Sequence, residues 1–206
     1  MAQTTRETSA IKYICIHHSV TPRDLPLEKS VSSFNNSHKA RLHPEANSKG
    51  LHVAYHYVIA GDGEKAETRG LNEIGYHASD WDMNVESIGI CVTGNFDEEK
   101  PSKAQMDTLR KLLRWLCKEF DIDPSFIISH RDVEGVTKSC PGKNLHILMD
   151  DIRDSIDAAM NISPWAEEAW EFCLDHEILS DQSMPQSNLT KEEMAVMLHR
   201  YHKSQS

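Results

Sequence analysis

The chain has 206 residues, of which 39% are hydrophobic and 26% are charged, and its formal net charge is -10. That length suits one domain of ordinary size with a small additional segment. The acidic balance argues against nucleic-acid binding, which usually requires a basic excess or a basic stripe. We find no apolar segment long enough to span a bilayer and no apolar export signal near the first residue, so we expect synthesis in a cytoplasm without membrane insertion.

The cysteines separate into two kinds. There are five of them, an odd number without the close, regular spacing of a disulfide framework, which favours a reducing compartment. Cys15, Cys91 and Cys117 lie inside apolar runs and are predicted to be small core residues. Cys140 precedes a Pro-Gly turn in a polar loop, so it is the cysteine most suited to chemistry.

Strand and turn signals dominate the first seventy residues. Residues 11–17 predict a buried strand, and residues 27–41 predict a weak helix after a loop that contains two prolines. Residues 51–60 predict a second strand, and Gly61-Asp62-Gly63 predicts the tight turn of a hairpin whose return strand reaches Arg69.

The next forty residues contain the clearest helix. Residues 71–81 lack periodicity and predict a loop, whereas residues 87–93 predict a central strand. Ser102 and Gln105 have the spacing of a capping box at the start of a helix. Its predicted core face consists of Leu109, Leu112, Leu113, Leu116 and Phe120, and its predicted solvated face carries Arg110, Lys111, Arg114 and Lys118.

The remaining elements complete an α/β pattern. Residues 126–130 predict a strand, and a helix over residues 144–160 closes the domain. Strands that alternate with helices predict an α/β fold with a central mixed β-sheet that has helices on both faces.

Two of these strands end in residues that bind metals. The strand before His130 is followed, ten residues after the histidine, by Cys140, and the strand at residues 11–17 ends in His17 and His18. Zinc accepts imidazole nitrogen and thiolate, and a catalytic site keeps three protein ligands and one water. With twelve histidines in the chain, a coincidental pairing is an equally good interpretation of spacing alone.

Five blocks together resemble the type-2 N-acetylmuramoyl-L-alanine amidases, a superfamily that includes phage amidases and peptidoglycan recognition proteins. The blocks are IKYICIHHS, HVAYHYVIAGDG, GYHA, SIGICVTGNF with Asn84 before it, and ISHRD followed by CPG. They stand in the family's order between about residue 10 and residue 160, which makes the set far more specific than any one block.

The resemblance implies a site. It assigns His17, His130 and Cys140 as the ligands of one zinc ion per chain. Tyr55 matches a tyrosine beside the water on zinc in phage-type enzymes, and Lys138 matches an assisting lysine or threonine. Among the residues of the substrate cleft we predict His77, Tyr76 and Asn84.

Two departures from the family pattern affect these assignments. The loop between His130 and Cys140 is about two residues longer than the commonest spacing, and Lys138 lies within this longer loop. Some cytoplasmic relatives carry a glutamate base where this chain has Cys91, and its absence favours the phage-type arrangement with Tyr55 and Lys138.

The last part of the chain predicts a separate module. We divide the chain into a tail at residues 1–10, a catalytic domain at residues 11–160 and a helical module at residues 161–206. The module resembles a surface-layer-homology repeat, with Ser163 and Pro164 opening its first helix and Thr190 and Glu193 capping its second. The resemblance implies binding to a secondary cell-wall polymer, and a homo-oligomer or a merely stabilising helical hairpin are the alternatives.

The expected function is hydrolysis of the bond between the lactyl group of N-acetylmuramic acid and the L-alanine of peptidoglycan. Without an export signal, the expected setting is a phage or prophage endolysin that acts on the wall after release from the cytoplasm. A bacterial autolysin would look similar. One alternative is a recognition module that binds peptidoglycan without cleaving it, and another makes Cys140 a thiol nucleophile paired with His130. A closed structural zinc site is disfavoured because no fourth protein ligand is evident.

Overall fold

The computed structural model describes residues 4–41 and 46–162, together with residues 166, 169–170, 172–173, 197–198, 201 and 203. The strands are β1 (Tyr13–His18), β2 (Tyr57–Ile59), β3 (Lys65–Glu67), β4 (Ser87–Val92) and β5 (Ile127–Ser129). The α-helices are α1 (Leu27–Arg41), α2 (Trp81–Glu86), α3 (Lys103–Phe120), α4 (Lys143–His146) and α5 (Met149–Met160).

The five strands form one mixed sheet in the order β3-β2-β4-β1-β5. Strands β2, β4, β1 and β5 are parallel, and β3 pairs antiparallel with β2 as the return strand of the predicted hairpin. Helices cover the sheet, so the predicted α/β class with a central mixed sheet is confirmed. The parallel pairing of β1 with β5 is the feature that matters most for the site, because it aligns the carboxyl ends of these two strands.

The two faces of the sheet have different partners. Ile14, Ile16, Ile88 and Ile90 belong to the large core cluster that also contains the apolar faces of α3 and α5. Successive side chains alternate between faces, so Cys15 and His17 lie on the opposite face. A smaller cluster covers part of that face and consists of Phe34 from α1, Val53, Val58 and Cys91.

Helix α3 follows its prediction closely at its start and along its core face. The Ser102 hydroxyl accepts from the Gln105 backbone N–H, and the Gln105 side chain accepts from the Ser102 backbone N–H, so the capping box is present. The four predicted leucines are buried and Phe120 packs against the core. Arg110 is the exception to the predicted solvated face. It is buried and its Nη2 lies 2.9 Å from Asp151 Oδ2, because α5 packs against that side of α3.

The second predicted strand is shorter than expected. Only Tyr57–Ile59 of residues 51–60 is a strand, because side chains rather than a neighbouring strand bond the backbone of residues 52–54. Asn35 Oδ1 accepts from the His52 N–H, His38 Nδ1 accepts from the Ala54 N–H, and Arg69 donates to the Val53 carbonyl. The chain therefore bends before it enters the sheet.

Two helical predictions also differ from the structure. The helix predicted at residues 144–160 is divided into α4 and α5, because Leu148 N–H donates to the Leu145 carbonyl and closes a tight turn between them. The predicted loop at residues 71–81 is a loop up to Asp80, whose carboxylate caps α2 by accepting from the Met83 N–H. That short helix was not predicted.

Most of the predicted C-terminal module, including Ser163, Pro164, Thr190 and Glu193, lies outside the described residues. Among the described residues of this module, Phe172 and Tyr201 have ring centroids 6.4 Å apart. In the part of the chain that the structure describes, no helix combines the length and apolar character that a membrane span requires.

Candidate metal centre

The register of β1 and β5 brings His17 and His130 together. Ile16 is the register partner of Ser129, so the residues that follow them lie side by side on one face of the sheet, with ring centroids 4.4 Å apart. Cys140 Sγ lies 3.7 Å from His17 Nδ1. One ligand atom from each of these three side chains lies within 4.8 Å of the other two, as a shared metal ion requires.

The chemistry of these three side chains fits zinc. His130 Nε2 is buried and has no hydrogen-bond partner among the described residues, which leaves its lone pair available to a metal. Burial lowers the pKa of His17 well below its ordinary value and that of His130 to about 4, so both imidazoles are neutral. Burial raises the pKa of the Cys140 thiol to about 11, and a coordinating ion would remove that proton. Two neutral imidazoles and one thiol are a suitable zinc set with a coordination position to spare.

Asp97 holds the loop that carries Cys140. Its carboxylate accepts from the Ser139 hydroxyl at 2.5 Å and from the Lys143 backbone N–H at 3.0 Å, so it connects the two sides of the cysteine. These hydrogen bonds, with Ser139 first, lower the pKa of Asp97. The Arg131 N–H also donates to the Cys140 carbonyl at 2.7 Å, which fastens the loop to the segment after His130.

The two residues predicted to assist catalysis lie beside this cluster. The Tyr55 ring centroid is 5.2 Å from that of His17, and its hydroxyl lies beside the Cys91 thiol. Burial raises the pKa of Tyr55 well above 10, so the phenol keeps its proton. Lys138 is exposed, and its ammonium is close enough to lower the pKa of both His130 and Cys140.

The three residues predicted to contact substrate have well-defined protein partners. His77 is 7% exposed and its Nδ1 lies 3.0 Å from His17 Nε2. Asn84 is also buried, and its amide group bonds to backbone groups of His77, Ala78 and Asp80. Tyr76 packs on Trp81, and its ring lies under the Arg69 guanidinium. Their contact with substrate stays a prediction.

Comparison with known families identifies the chain. Residues 7–143 match the Amidase_2 family, described as N-acetylmuramoyl-L-alanine amidase. That match covers His17, His130 and Cys140 and includes more than half of the 206 residues. The chain belongs to this family.

Solved structures and sequence relatives agree with the family. The chain resembles N-acetylmuramoyl-L-alanine amidase LysC from Clostridium intestinale URNW with a TM-score of 0.57 and 26% identity, over 79% of this chain and 96% of that one. It also resembles the endolysin LysCS of the same organism with a TM-score of 0.55 and 25% identity, over 79% and 94%. Peptidoglycan-recognition protein SC2 of Drosophila simulans is 37% identical over 94 residues, which are 45% of this chain and 49% of the relative. The chain thus spans about half the length of that recognition protein.

Three residues near the site were not predicted to take part in it. Cys15, predicted to be a core residue, forms a second group of close ligand atoms with His17 and His77. Gly89 lies in β4 directly against the His77 ring, and a glycine inside a strand pattern was the signal that could have revealed this close approach. Arg6, within the predicted tail, is 6% exposed and donates to backbone carbonyls near His77. A single arginine near the start of a chain gives no comparable signal.

Proposed function

We propose that this amidase-family protein hydrolyses the amide bond between the lactyl group of N-acetylmuramic acid and the L-alanine of peptidoglycan stem peptides. The observation that carries the proposal is the convergence of His17, His130 and Cys140, with the buried His130 Nε2 free of any hydrogen bond within the described residues. In this proposal the three side chains hold one zinc ion. Membership of the family supports the choice of substrate.

The site has the groups that such a reaction needs. An amide is a poor electrophile with a poor leaving group, so hydrolysis requires a strong nucleophile and stabilisation of negative charge on the carbonyl oxygen. When bound, zinc supplies a water with a pKa of about 7 and polarises the carbonyl as a Lewis acid. Lys138 contributes positive charge beside His130 and Cys140, and the Tyr55 hydroxyl contributes a protonated hydrogen-bond donor. Each such group can stabilise the oxyanion.

We extend the proposal to the biological setting. The similarity to an endolysin from Clostridium intestinale supports a lytic enzyme of phage or prophage origin that acts on the cell wall after release from the cytoplasm. The predicted C-terminal module would bind a secondary wall polymer or mediate self-association.

A second candidate function is recognition of peptidoglycan without cleavage. The similarity to recognition protein SC2 favours it, since this relative is named for recognition. Cys140 argues for catalysis, because recognition proteins that lose the zinc cysteine lose hydrolysis while their cleft still binds. A third candidate, in which Cys140 is the nucleophile, needs no metal.

Digestion of purified peptidoglycan separates these functions. The native protein and a Cys140→Ser variant are each incubated with and without a chelator, and the released termini are identified by mass spectrometry. We expect new N-terminal alanine with the native protein only, and its loss on chelation with recovery after zinc is restored. Binding without any new terminus would support recognition instead, and alanine release that survives chelation would overturn the metal-dependent reaction.

A control variant tests whether loss of activity reflects loss of the fold. Ser125→Ala removes an exposed hydroxyl that donates to Asp123, on the short helical turn before β5, away from Cys140 in the sequence. We expect it to release alanine at the native rate. Circular dichroism of Cys140→Ser should match that of the native protein, because the substitution replaces one sulfur atom by oxygen.

A further inference from the structure

His77 is buried behind His17, on the side away from Cys140. Its Nδ1 faces His17 Nε2 at 3.0 Å, while the other nitrogen of His17 faces Cys140 Sγ at 3.7 Å. One imidazole therefore stands between the proposed zinc position and a second imidazole. If His77 Nδ1 accepts the hydrogen bond, His17 carries its proton on Nε2; if His77 Nδ1 donates, His17 carries its proton on Nδ1.

The direction of the hydrogen bonds can be followed from Ser87. Its hydroxyl lies 2.5 Å from the Met83 carbonyl, which can only accept, so the hydroxyl proton is used there. His77 Nε2 lies 3.5 Å from the same Ser87 Oγ. Because the Ser87 hydroxyl has already donated its proton to Met83, its oxygen is left to accept, so His77 Nε2 carries the ring proton.

That direction continues through the two rings. A neutral imidazole carries one N–H, so His77 Nδ1 is an acceptor and His17 Nε2 must donate to it. The lone pair of His17 is thereby left on Nδ1, the nitrogen that faces Cys140. This is the tautomer that a metal at the proposed site requires.

We infer that His77 is a positioning residue, which fixes the tautomer and ring orientation of His17 for zinc through the hydrogen-bond chain His17, His77, Ser87, Met83. The inference rests on the proposed zinc site. It gives His77 a role that differs from contact with substrate. Groups that orient a metal-bound histidine in this way typically contribute about 10- to 100-fold to metal affinity or activity.

The position of the His77 ring is built into the backbone. A Cβ added to Gly89 would overlap His77 Cδ2, and one added to Gly75 would lie 2.6 Å from the same atom. Two glycines therefore form a slot that the ring occupies. Any side chain at Gly89 would overlap the His77 ring and displace it from this position, without changing the chemistry of either histidine.

Another interpretation of the same residues is a second metal site. Cys15, His17 and His77 also have ligand atoms within 4.8 Å of one another. However, the 3.0 Å separation of His17 Nε2 and His77 Nδ1 is that of a hydrogen bond, which uses the nitrogens that such an ion would need. The inference therefore predicts one zinc ion per chain.

The test measures zinc affinity directly. Full-length metal-free protein is titrated with zinc in competition with a chromophoric chelator, for the native chain, His77→Phe, His77→Asn and Gly89→Ala. Phe keeps the ring shape without an acceptor, whereas Asn keeps an acceptor at the position of Nδ1. We expect His77→Phe and Gly89→Ala to weaken zinc binding about 10- to 100-fold and His77→Asn to recover most of that loss. The absorption spectrum of bound Co²⁺ should shift in His77→Phe and return towards the native spectrum in His77→Asn.

The outcomes separate this inference from the proposed function. Equal zinc affinity in the native chain and a folded His77→Phe variant would overturn the inference alone, as would two zinc ions in the native chain and one in His77→Phe. The expected order of affinities with no release of alanine from peptidoglycan would overturn the proposed function alone. Failure of the native chain to bind zinc would overturn both. Thermal unfolding of each metal-free variant shows whether it is folded. If His77→Phe is not folded, the zinc affinities of Gly89→Ala and His77→Asn are compared instead, and equal affinities in these two variants would overturn the inference.

Discussion

The role of the Tyr55 hydroxyl can be tested by a substitution that removes a single oxygen atom. Its neighbour is the Cys91 thiol, which is a weak hydrogen-bond acceptor, and burial keeps the phenol protonated. A donor held by so weak a partner can turn towards a developing oxyanion at little cost. We predict that Tyr55→Phe lowers kcat for alanine release by about 100- to 1000-fold, because one oxyanion donor is lost.

The matched measurement is zinc affinity, since Tyr55 contacts the His17 ring but offers no ligand atom to the cluster. We expect Tyr55→Phe to bind zinc as the native chain does, and Cys91→Ala to retain most of the activity. If Tyr55→Phe has the same kcat as the native chain, the Tyr55 hydroxyl takes no part in catalysis. A parallel loss of zinc affinity would show that the phenol supports the ligands instead.

Single residues were predictable from the sequence where their role depends on position along a strand. His17 and His130 end apolar runs, and parallel pairing of those runs brings them together. The partner of His77 was not predictable, because it depends on how residues 71–80, which lack periodicity, fold over β1. Only the glycine at position 89 hinted that something approaches the sheet closely.

Among the larger elements, the N-terminal segment is fastened by one buried side chain. Arg6 donates to the carbonyls of Leu71, Val85 and Ser87 at 3.0, 2.6 and 2.7 Å. The Thr4 carbonyl also accepts from the Ile74 N–H. The segment therefore holds both ends of the loop that carries His77.

We predict that Arg6→Ala lowers the free energy of unfolding by about 3 kcal/mol, because several buried carbonyls lose their donor. Urea unfolding followed by circular dichroism measures the change. Lys103→Ala is the control: this lysine is 77% exposed and pairs with Asp107 four residues on, so its loss should cost about 0.3 to 0.5 kcal/mol. Equal effects in the two variants would mean that Arg6 does not anchor the segment.

Elements with strong local signals were predicted well, and those settled by tertiary contacts were not. The capping box at Ser102 and the hairpin turn at residues 61–63 depend on neighbouring residues, and both are present. The strand predicted at residues 51–60 begins six residues late, because Asn35 and His38 from α1 take its backbone hydrogen bonds. The sequence of residues 51–56 alone cannot indicate that a helix from another part of the chain packs against them.

For the molecule as a whole, the buried histidines in and around the candidate metal centre impose a cost in stability that depends on pH. Burial is the first cause that lowers the pKa of five histidines: His18 below 6.5, His17 and His56 well below 6.5, His77 to about 3 and His130 to about 4. In the unfolded chain the same side chains titrate near 6.5. Below that pH the unfolded chain binds protons that the folded chain does not.

The sign follows from proton linkage. Stability rises with pH wherever the unfolded state binds more protons, so the stability present above pH 6.5 is lost as the pH falls towards the folded pKa values. Each histidine contributes at most about 1.4 kcal/mol per pH unit in that window.

We predict that the free energy of unfolding, measured in urea with chelator present, falls continuously between pH 7.5 and pH 5. Carboxylates remain largely ionised over that range, so histidines dominate the slope. His77→Phe removes one buried imidazole and should flatten the slope by about one proton, whereas a pH-independent free energy would mean that these histidines are not kept neutral by the fold.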